Sequence, residues 1–372
     1  MRVGFDVTPL CVTHSGVGTY TANLLSGLQA LGEEVVPLSH RPPRYGVGQT
    51  GAEGRDQPRG RLNKTLWMQF VLPFRLNRLG LDLGHFTNSV APVASPCPTV
   101  ITIHDMTLWL CPQHHYGRRV LSMRPLIPLA ARRAGAIIAV SEATKQDIIR
   151  ILGVPAAKIQ VVHEAPDSSF RPLDRATARA RLRPEWQVPE AFLLYVGTIE
   201  PRKNLVRLLQ AFARLRAHER MAERLVIVGP TGWKTKPVLR AVEELGLEKE
   251  VRFLGYVPQE ALVALYSLAT ALVLPSLYEG FGLPVVEAMA CGAPVVASHA
   301  GALPEVGGDA VQYVEPTDVE SLAAGLRAVV GDPARREELR LQGLAQAARY
   351  SWETAARQTQ ALYRRVLSAH AD

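Results

Sequence analysis

The segment YEGFGLPVVE at residues 278–287 carries two carboxylates on either side of a glycine-rich loop. Pro284 is typical of the first turn of a helix, so Glu279 is expected in a loop and Glu287 about one turn into that helix. The loop offers backbone N–H groups at the positive end of the helix, where a phosphate binds well. Ionised carboxylates are strong acceptors for hydroxyl groups. The pattern predicts a ligand with hydroxyls at both ends and a diphosphate between them, as in a nucleotide sugar.

A second segment, YVGTIEPRKNLVRLL at residues 195–209, supplies cations for such a diphosphate. Its strand is predicted to end at Gly197, and Arg202 and Lys203 are expected at the start of the next helix. Open α/β sheets bind ligands at this carboxyl edge. The two cations could neutralise a leaving diphosphate without a metal. A plainer interpretation assigns no ligand to either segment. Arg202 and Lys203 would then be a basic pair on the surface, Glu287 would complement the helix dipole, and Glu279 would be an exposed acid in a loop.

The first half of the chain contributes two further candidates. The segment TVITIHDMT ends a buried-looking strand on His104 and Asp105, which are either site residues or a structural pair. Near the start, Gly16 and Gly18 are predicted in a loop that enters a helix. They match only part of the dinucleotide-binding fingerprint. The third glycine is missing, and no acidic residue ends a second strand about twenty residues further on. An NAD site is therefore disfavoured.

Short β-branched runs alternate with helical patterns along nearly the whole chain, which predicts the α/β class with parallel sheets. Six runs fall in each half, so we expect two similar doubly wound domains. The predicted strands lie at residues 2–7, 34–38, 83–86, 99–103, 136–140 and 159–162 in the first half, and at residues 192–197, 224–229, 251–255, 271–275, 294–298 and 311–314 in the second.

The order of these runs predicts a domain at residues 1–170, a linker at 171–190 and a second domain at 191–350. Residues 351–372 begin with a serine cap and show amphipathic helical spacing, so this helix is expected to pack back on the first domain. The Gly, Pro and Arg-rich stretch at 41–64 predicts a mobile surface loop.

The chain has 372 residues, 47% of them hydrophobic and 20% charged, which is ordinary for a soluble protein too long for one core. The run after Met1 lacks the basic start and the long apolar stretch of a secretion signal, so none is expected, and no apolar run is long enough to predict a membrane span. The four cysteines show no metal-type spacing, which favours free thiols in a cytoplasmic protein and no zinc site.

The formal charge of +8 indicates an anionic partner. Dense basic runs interleaved with aromatics are absent from the sequence, so nucleic acid is disfavoured. One predicted helical region is rich in arginine, and it is either a solvated helix face or a patch that rests on an anionic membrane. Its arginines are Arg118, Arg119, Arg124, Arg132 and Arg133.

Together these motifs resemble glycosyltransferase family 4, the retaining nucleotide-sugar enzymes with the GT-B fold. That fold has two Rossmann-like domains that face each other across a cleft. The glutamate pair in its Gly/Pro context is the most specific part, and the phrases IHD and EPRKN are most similar to mannosyltransferase-like members. The matching segments are SGVGTYTANLL, VITIHDMT, IIAVSEATKQDI, YVGTIEPRKNL, PSLYEGFGLPVVEAMACGAPVVAS, GALPEVGGDA and YSWETAARQTQALYRRVL.

The resemblance implies that Glu287 holds the ribose hydroxyls and Glu279 those of the transferred sugar. Arg202 and Lys203 would pair with the diphosphate, and His104 would approach the donor sugar from the first domain. The remaining implied contacts concern the phosphates, the base and the acceptor. They fall on Gly197, Gly280, Phe281, Gly282 and Leu283 for the phosphate side, on Gly255 and Val257 near the base, and on Gly16 and Gly18 beside the acceptor and diphosphate.

One departure concerns the end of the strand before Arg202. Many family members have arginine where this chain has Thr198, so Arg202 is expected to replace that side chain. The implied reaction is retaining transfer of a hexose from a nucleoside-diphosphate sugar, with mannose and GDP-mannose favoured, without a metal or other cofactor.

The implied acceptor is a glycan or a lipid-linked glycan of cell-surface polysaccharide or glycolipid synthesis. Such an enzyme would be cytoplasmic or peripheral at the inner face of the membrane. Glu279 as a covalent nucleophile is an alternative mechanism. The alternative functions are a sugar-nucleotide epimerase on the same fold and a non-catalytic nucleotide-sugar-binding protein.

Overall fold

The structure is a computed structural model, and it forms two units. One comprises residues Met1–Glu164 and Ser351–Asp372, and the other comprises residues Ala165–Tyr350. Most of the loop predicted at 41–64 lies outside the residues that the structure describes. The described residues are 1–11, 15–44, 64–218 and 221–371.

The first unit is a parallel sheet covered by helices. Its strands are β1 (Arg2–Asp6), β2 (Glu34–Leu38), β3 (Leu83–Phe86), β4 (Thr99–Ile103), β5 (Ala136–Ala139) and β6 (Ile159–Val161), paired in the order β2-β1-β3-β4-β5-β6. Its helices are α1 (Gly16–Ala30), α2 (Lys64–Leu66), α3 (Leu72–Leu79), α4 (Thr107–Leu110), α5 (Gly117–Met123), α6 (Leu126–Arg133) and α7 (Glu142–Leu152), and a π-helical turn, Trp67–Val71, joins α2 to α3.

The second unit repeats this plan. Its strands are β7 (Phe192–Val196), β8 (Arg224–Val228), β9 (Val251–Gly255), β10 (Ala271–Leu274), β11 (Val295–Ser298) and β12 (Gln312–Val314), paired in parallel in the order β12-β11-β10-β7-β8-β9. Its helices are α8 (Arg175–Ala180), α9 (Leu205–His218), α10 (Lys236–Glu244), α11 (Gln259–Leu268), α12 (Leu283–Ala290), α13 (Leu303–Gly307), α14 (Val319–Val330) and α15 (Pro333–Ala347). The last helix of the chain, α16 (Trp352–Ala371), belongs to the first unit.

All twelve predicted strands are confirmed, and their sequences show why. The central strand β7, FLLYV, is buried at every position, as expected for a strand with helices on both faces. A continuous apolar run is therefore typical of a strand that is covered on both faces. A strand with one exposed face would instead alternate apolar and polar residues.

Helix α16 packs along α1. Tyr363 of α16 places its hydroxyl 2.6 Å from Nδ1 of His85, and Gln360 donates to Glu33 over 2.6 Å. Both contacts join the end of the chain to the first unit. The amphipathic face of α16 thus completes the core of a domain that began more than 300 residues earlier.

The boundary between the units differs from the predicted linker at 171–190. That stretch belongs to the second unit, where α8 packs against α11. Asp174 caps α8 by accepting from the N–H of Thr177 over 2.9 Å, and Arg179 donates to the carbonyl oxygen of Pro189 over 2.8 Å. The Pro and Arg composition that predicted a linker instead forms a hydrogen-bonded surface segment.

Among the described residues, no helix combines the length and the apolar character needed to cross a membrane.

Candidate active site

The candidate site lies at the carboxyl edge of the second sheet, between β7 and β10. The chain leaves β7 in one direction to build β8 and β9, then returns to build β10 on the other side of β7. Such a reversal opens a crevice at the carboxyl ends of the two strands. The segments that follow β7 and β10 carry Arg202, Lys203 and Glu279.

Glu279 lies at the centre of a buried ion cluster. Its Oε1 accepts a hydrogen bond from Nζ of Lys203 over 2.6 Å, and its Oε2 accepts from Arg202 over 2.9 Å. Arg202 also donates to Glu200 over 2.7 Å and to the carbonyl oxygen of Tyr278 over 2.6 Å. The sequence predictions thus meet here, because two cations from one segment face one carboxylate from the other.

The electrostatics of the cluster favour the ionised carboxylate. Burial alone would raise the pKa of Glu279, but the charges of Lys203 and Arg202 outweigh it and lower the pKa to about 2. A buried carboxylate so paired is a poor acid or base near neutral pH. It remains a strong acceptor for hydroxyl groups.

Backbone contacts fix the two segments. The N–H of Leu277 donates to the carbonyl oxygen of Arg202 over 2.9 Å, and the N–H of Ala302 donates to the carbonyl oxygen of Glu279 over 2.9 Å. Gly301 lies so close that an added Cβ would stand 2.3 Å from that carbonyl oxygen. The glycine is therefore required for the position of Glu279, although its own sequence context did not identify it.

A substitution of Gly301 tests this dependence. We expect Gly301→Ala to lower turnover at least tenfold and to reduce the melting temperature, because the new methyl group overlaps the Glu279 backbone. Gly246→Ala is the matched control, since Gly246 has a similar φ of +64° against +57° for Gly301 but no atom within 4 Å of an added Cβ. The left-handed backbone costs alanine about 1–2 kcal/mol at either site.

Melting temperature and turnover of the two variants should be measured together. The control should melt only a few degrees lower, about 2–4 °C per kcal/mol for a domain of this size, with turnover unchanged. Equal turnover of both variants would contradict the role of Gly301.

The phosphate loop predicted at 280–283 begins helix α12. Gly282 precedes the helix with a φ of +108°, and an added Cβ there would stand 2.6 Å from Leu303. Phe281 is buried and packs edge-on against Tyr350 with the ring centroids 5.7 Å apart. Gly280 and Leu283 are also buried. Helix α12 thus begins four positions after Glu279, and its start carries the positive end of the helix dipole.

Glu287 lies in α12, and it is buried. The hydroxyl of Tyr266 donates to its Oε2 over 3.0 Å. Burial and the neighbouring carboxylate raise the pKa of Tyr266 well above its usual value, so the phenol stays protonated and keeps donating. Tyr266 is a hydrogen-bond partner of Glu287 that the sequence did not single out.

Gly197 ends β7 with a φ of +152°, and its N–H donates to the carbonyl oxygen of Val228 over 2.9 Å. An added Cβ at Gly229, which follows β8, would stand 2.1 Å from the carbonyl oxygen of Gly197. Gly255 ends β9 with a φ of +66°, and Val257 is buried just beyond it. These positions follow the carboxyl edge from β7 to β9, where the resemblance placed the phosphate and the base.

The remaining candidates lie in the first unit. His104 follows β4, and its Nδ1 lies 3.0 Å from Glu164 while its Nε2 lies 2.9 Å from the carbonyl oxygen of Thr87. Both partners are acceptors, so both bonds form only when the ring is protonated. Burial lowers the pKa of His104, but the hydrogen bond and charge of Glu164 outweigh it, and the pKa is raised overall. The structure thus holds the His104 ring between two acceptors, and Glu164 is a partner that no local motif predicts.

Gly16 and Gly18 form the first turn of α1 rather than a loop before it. Ser15 caps the helix, and its hydroxyl accepts from the N–H of Gly18 over 3.2 Å, so the helix starts earlier than the glycines suggested. Asp105 accepts from the N–H and the hydroxyl of Thr107, over 2.9 and 2.5 Å. The Asp105 carboxylate thus stabilises the turn between β4 and α4.

Among the described residues, no three His, Cys, Asp or Glu side chains come together as they would to hold a metal ion.

Two family models match this chain. The model described as Glycosyltransferase Family 4 matches residues 14–170, and that described as Glycosyl transferases group 1 matches residues 178–345. The O-antigen chain mannosyltransferase B of Escherichia coli is 39% identical over 260 residues, which cover 70% of this chain and 68% of that protein. The chain belongs to glycosyltransferase family 4. This glycosyltransferase is therefore an enzyme of the class that the sequence motifs predicted.

A second relative is much longer than the region that matches this chain. The serotype-specific mannosyltransferase WbdA of Escherichia coli is 32% identical over 286 residues, which cover 73% of the glycosyltransferase and 34% of WbdA. The glycosyltransferase thus matches about a third of that protein's length.

Solved structures establish the fold. The sucrose-phosphate synthase of Thermosynechococcus elongatus superposes with a TM-score of 0.77 at 24% identity, covering 99% of each chain. HepE of Anabaena, solved in complex with UDP and glucose, superposes with a TM-score of 0.73 at 19% identity, covering 97% of the glycosyltransferase and 99% of HepE. The glycosyltransferase has the GT-B fold, with one Rossmann-like sheet in each unit.

Proposed function

We propose that the glycosyltransferase moves mannose from GDP-mannose to a glycan or lipid-linked glycan acceptor, with retention of the anomeric configuration, in cell-surface polysaccharide or glycolipid synthesis. The observation that carries the proposal is the buried cluster of Arg202, Lys203 and Glu279 beside the start of α12. It combines cations, backbone N–H groups and a carboxylate acceptor within one crevice. Two relatives from Escherichia coli, the O-antigen chain mannosyltransferase B and WbdA, are mannosyltransferases, and they support the choice of sugar.

The charges of the cluster are suited to a diphosphate leaving group. Arg202 and Lys203 carry two positive charges, which Glu279 and Glu200 balance through the ion pairs described above. A bound diphosphate would bring negative charge to these cations and to the N–H groups at the start of α12. Lysine has three ammonium donors, so Lys203 can contact Glu279 and a phosphate oxygen together.

The proposed reaction breaks the bond between the anomeric carbon and the phosphate oxygen, and the electron pair leaves with the nucleoside diphosphate. The acceptor hydroxyl attacks the oxocarbenium-like carbon from the same face, and its proton passes to the leaving phosphate oxygen. Lys203, Arg202 and the positive end of α12 stabilise the charge that develops. Glu279 holds sugar hydroxyls throughout. No metal or other cofactor takes part in this scheme.

The proposed role of Glu287 is to hold the ribose hydroxyls. Hydrogen bonds to a charged acceptor contribute about 1.5–3 kcal/mol each, so we expect Glu287→Gln to weaken GDP binding about tenfold or more. Isothermal titration calorimetry measures this affinity. Tyr266→Phe is the matched control, because it removes only the hydroxyl that contacts Glu287 and should change the affinity much less. Unchanged affinity in Glu287→Gln would refute the ribose role.

A thermal-shift screen of GDP-, UDP- and ADP-sugars tests the donor. GDP-mannose is expected to give the largest shift, because a ligand that binds only the folded state stabilises it. A larger shift with a UDP-sugar would overturn the donor but not the enzyme class. The selected donor should then be incubated with candidate acceptors, and NMR of the product should show the anomeric configuration of the donor.

The same incubation separates transfer from the alternative reaction. An epimerase would rearrange or release the sugar without any acceptor, whereas a transferase needs the acceptor for rapid turnover. Acceptor-independent conversion at the full rate would favour the epimerase.

A further inference from the structure

The glycine motif at the start of α1 is followed by two buried polar residues. Gly16 and Gly18 form the first turn of the helix. Tyr20 and Thr21 follow in the next turn, and both are completely buried. Thr21 stands where a dinucleotide fingerprint would have its third glycine. The motif therefore directs two hydroxyl groups into the interior of the first unit.

Tyr20 packs against the imidazole of His104 in a T-shaped arrangement. The two ring centroids lie 4.7 Å apart, and the ring planes meet at 89°. Trp352 of α16 also packs on Tyr20, with the centroids 5.8 Å apart. Because interiors are closely packed, the buried phenol ring occupies the space into which the imidazole would otherwise turn.

The hydroxyl of Tyr20 connects its ring to β4. The hydroxyl oxygens of Tyr20 and Thr102 lie 2.9 Å apart, and both side chains are completely buried. Thr102 precedes His104 by two positions at the end of the same strand. Its β-branched side chain has a restricted χ1, so it is a rigid partner. The contact thus ties α1 to the strand that carries the imidazole.

Helix α1 also reaches a group that holds His104. Nε2 of His104 lies 2.9 Å from the carbonyl oxygen of Thr87. The hydroxyl of Thr21 lies 3.2 Å from that of Thr87, which donates to the carbonyl oxygen of Asp6 over 2.8 Å. Two consecutive residues of α1, Tyr20 and Thr21, therefore contact the imidazole and the residue whose carbonyl it faces.

The bond between Tyr20 and Thr102 ends a longer buried chain of hydrogen bonds. His85 of β3 places its Nε2 2.8 Å from the hydroxyl of Thr102 and its Nδ1 2.6 Å from the hydroxyl of Tyr363. Burial lowers the pKa of His85 to about 3, so the ring is neutral near pH 7. One of its nitrogens then donates and the other accepts. The far end of the chain anchors α16, and the near end fixes Tyr20.

We propose that Tyr20 is a positioning residue for His104, held in place by its hydrogen bond to Thr102. The imidazole lies between Glu164 and the carbonyl oxygen of Thr87, and Tyr20 packs against it as a third neighbour. The ring is thereby kept in the orientation in which both nitrogens meet an acceptor. The inference rests on the proposed function only where it concerns turnover, because the titration of His104 is measured without any substrate.

NMR of the full-length enzyme labelled with 13C at Cε1 of histidine tests the orientation of His104. The variant His104→Gln identifies the His104 resonance among the ten histidines. Tyr20→Phe keeps the aromatic ring and removes only the hydroxyl that contacts Thr102. Since both acceptors favour the protonated imidazole, a less firmly held ring should titrate at a pH lower by about 0.5 or more.

The other titratable groups around His104 do not obscure this measurement. Burial lowers the pKa of His85 to about 3 and raises that of Tyr20, so neither changes its charge near neutral pH. Glu164 and Asp105 also act on His104, and the substitution leaves both in place. A change in the titration of His104 therefore reports on how its ring is held.

Turnover should fall in the same variants. Tyr20→Phe is expected to lower kcat about tenfold, because a small displacement of a group at the reacting centre is costly in rate. Thr102→Val keeps the shape of its side chain and removes the hydroxyl that Tyr20 contacts, so it should lower kcat and the His104 titration similarly. The double variant should lose little more than either single variant, since both act through one bond.

Tyr363→Phe is the matched control, because it removes a buried hydroxyl from the same chain at the end away from His104. It should lower the melting temperature about as much as Tyr20→Phe, with kcat and the His104 titration unchanged. An unchanged titration in Tyr20→Phe, or an equal change in Tyr363→Phe, would overturn the inference. A lower titration with unchanged kcat in Tyr20→Phe would support the positioning of His104 and refute its expected approach to the donor sugar.

Discussion

Replacing Lys203 with alanine is expected to lower kcat about 10²–10³-fold, the loss typical of removing one donor to a developing oxyanion. The affinity for GDP should fall less than about tenfold, because the charge on the leaving diphosphate grows only as the sugar bond breaks. The structure gives the reason for choosing this residue. Lys203 is buried and its Nζ lies 2.6 Å from Glu279, inside the crevice between β7 and β10.

Lys249→Ala is a matched control, since it removes the same charge from an exposed site just before β9, at the opposite edge of the sheet. Steady-state kinetics and calorimetry on both variants decide the matter. Equal losses in GDP affinity and kcat for Lys203→Ala would mean that the lysine binds substrate and transition state alike. The transition-state role would then be wrong.

The sequence predicted the frame of this site because the frame is encoded locally. Strands such as β7 and β10 are short apolar runs, and each is followed by the loop that carries its functional residues. The helix start at Pro284 and the glycine of the preceding cap also lie within a few positions of Glu279 and Glu287. Local patterns of this kind survive in the fold, since no distant partner is needed to form them.

The pairings within the site were not predictable in the same way. Lys203 and Glu279 are 76 positions apart, and only the return of the chain to the other side of β7 brings them together. His104 and Glu164 are 60 positions apart for a similar reason. Gly301 has an ordinary sequence context, and its importance lies in the carbonyl oxygen of Glu279 beside it.

The placement of Arg202 and Lys203 shows where a local prediction stops. They were expected at the start of a helix, but they lie in a separate 3-10 turn, Pro201–Lys203, which Asn204 ends with a φ of +61°. The side chain of Asn204 donates to the carbonyl oxygens of Pro275 and Pro316, over 3.0 and 2.6 Å. These long-range bonds hold the turn apart from α9. Both cations are thereby aimed at the loop after β10 rather than along the helix.

Glu279→Gln should lower transfer about 10²–10³-fold if the carboxylate holds hydroxyls of the sugar in the transition state. A nucleophilic role would predict a different observation in wild type, namely a hexose bound covalently to Glu279. The structure argues against that role. Both carboxylate oxygens accept hydrogen bonds, and the pKa of about 2 marks a weakly basic group. Intact-mass spectrometry of wild type with donor and no acceptor should therefore show unmodified protein, and a hexose on Glu279 would overturn the hydroxyl-binding role.

The acid dependence of stability gives an independent measure of the same ion cluster. The folded pKa of Glu279 is depressed from 4.5 to about 2, so the ion pairs stabilise the protein above about pH 4.5. That contribution is lost as the pH falls from 4.5 towards 2. Glu279→Gln lacks it at every pH and leaves Lys203 and Arg202 without their shared carboxylate, which costs about 3–5 kcal/mol when the site is buried.

The double variant Lys203→Met with Glu279→Gln separates folding from chemistry, because it removes the lysine charge together with the carboxylate. It should recover much of the melting temperature that Glu279→Gln loses, since the two residues are directly coupled. Its transfer rate should stay as low as that of either single variant. Recovery of transfer together with stability would mean that Glu279 serves only to neutralise Lys203, and its proposed contact with the sugar would then be wrong.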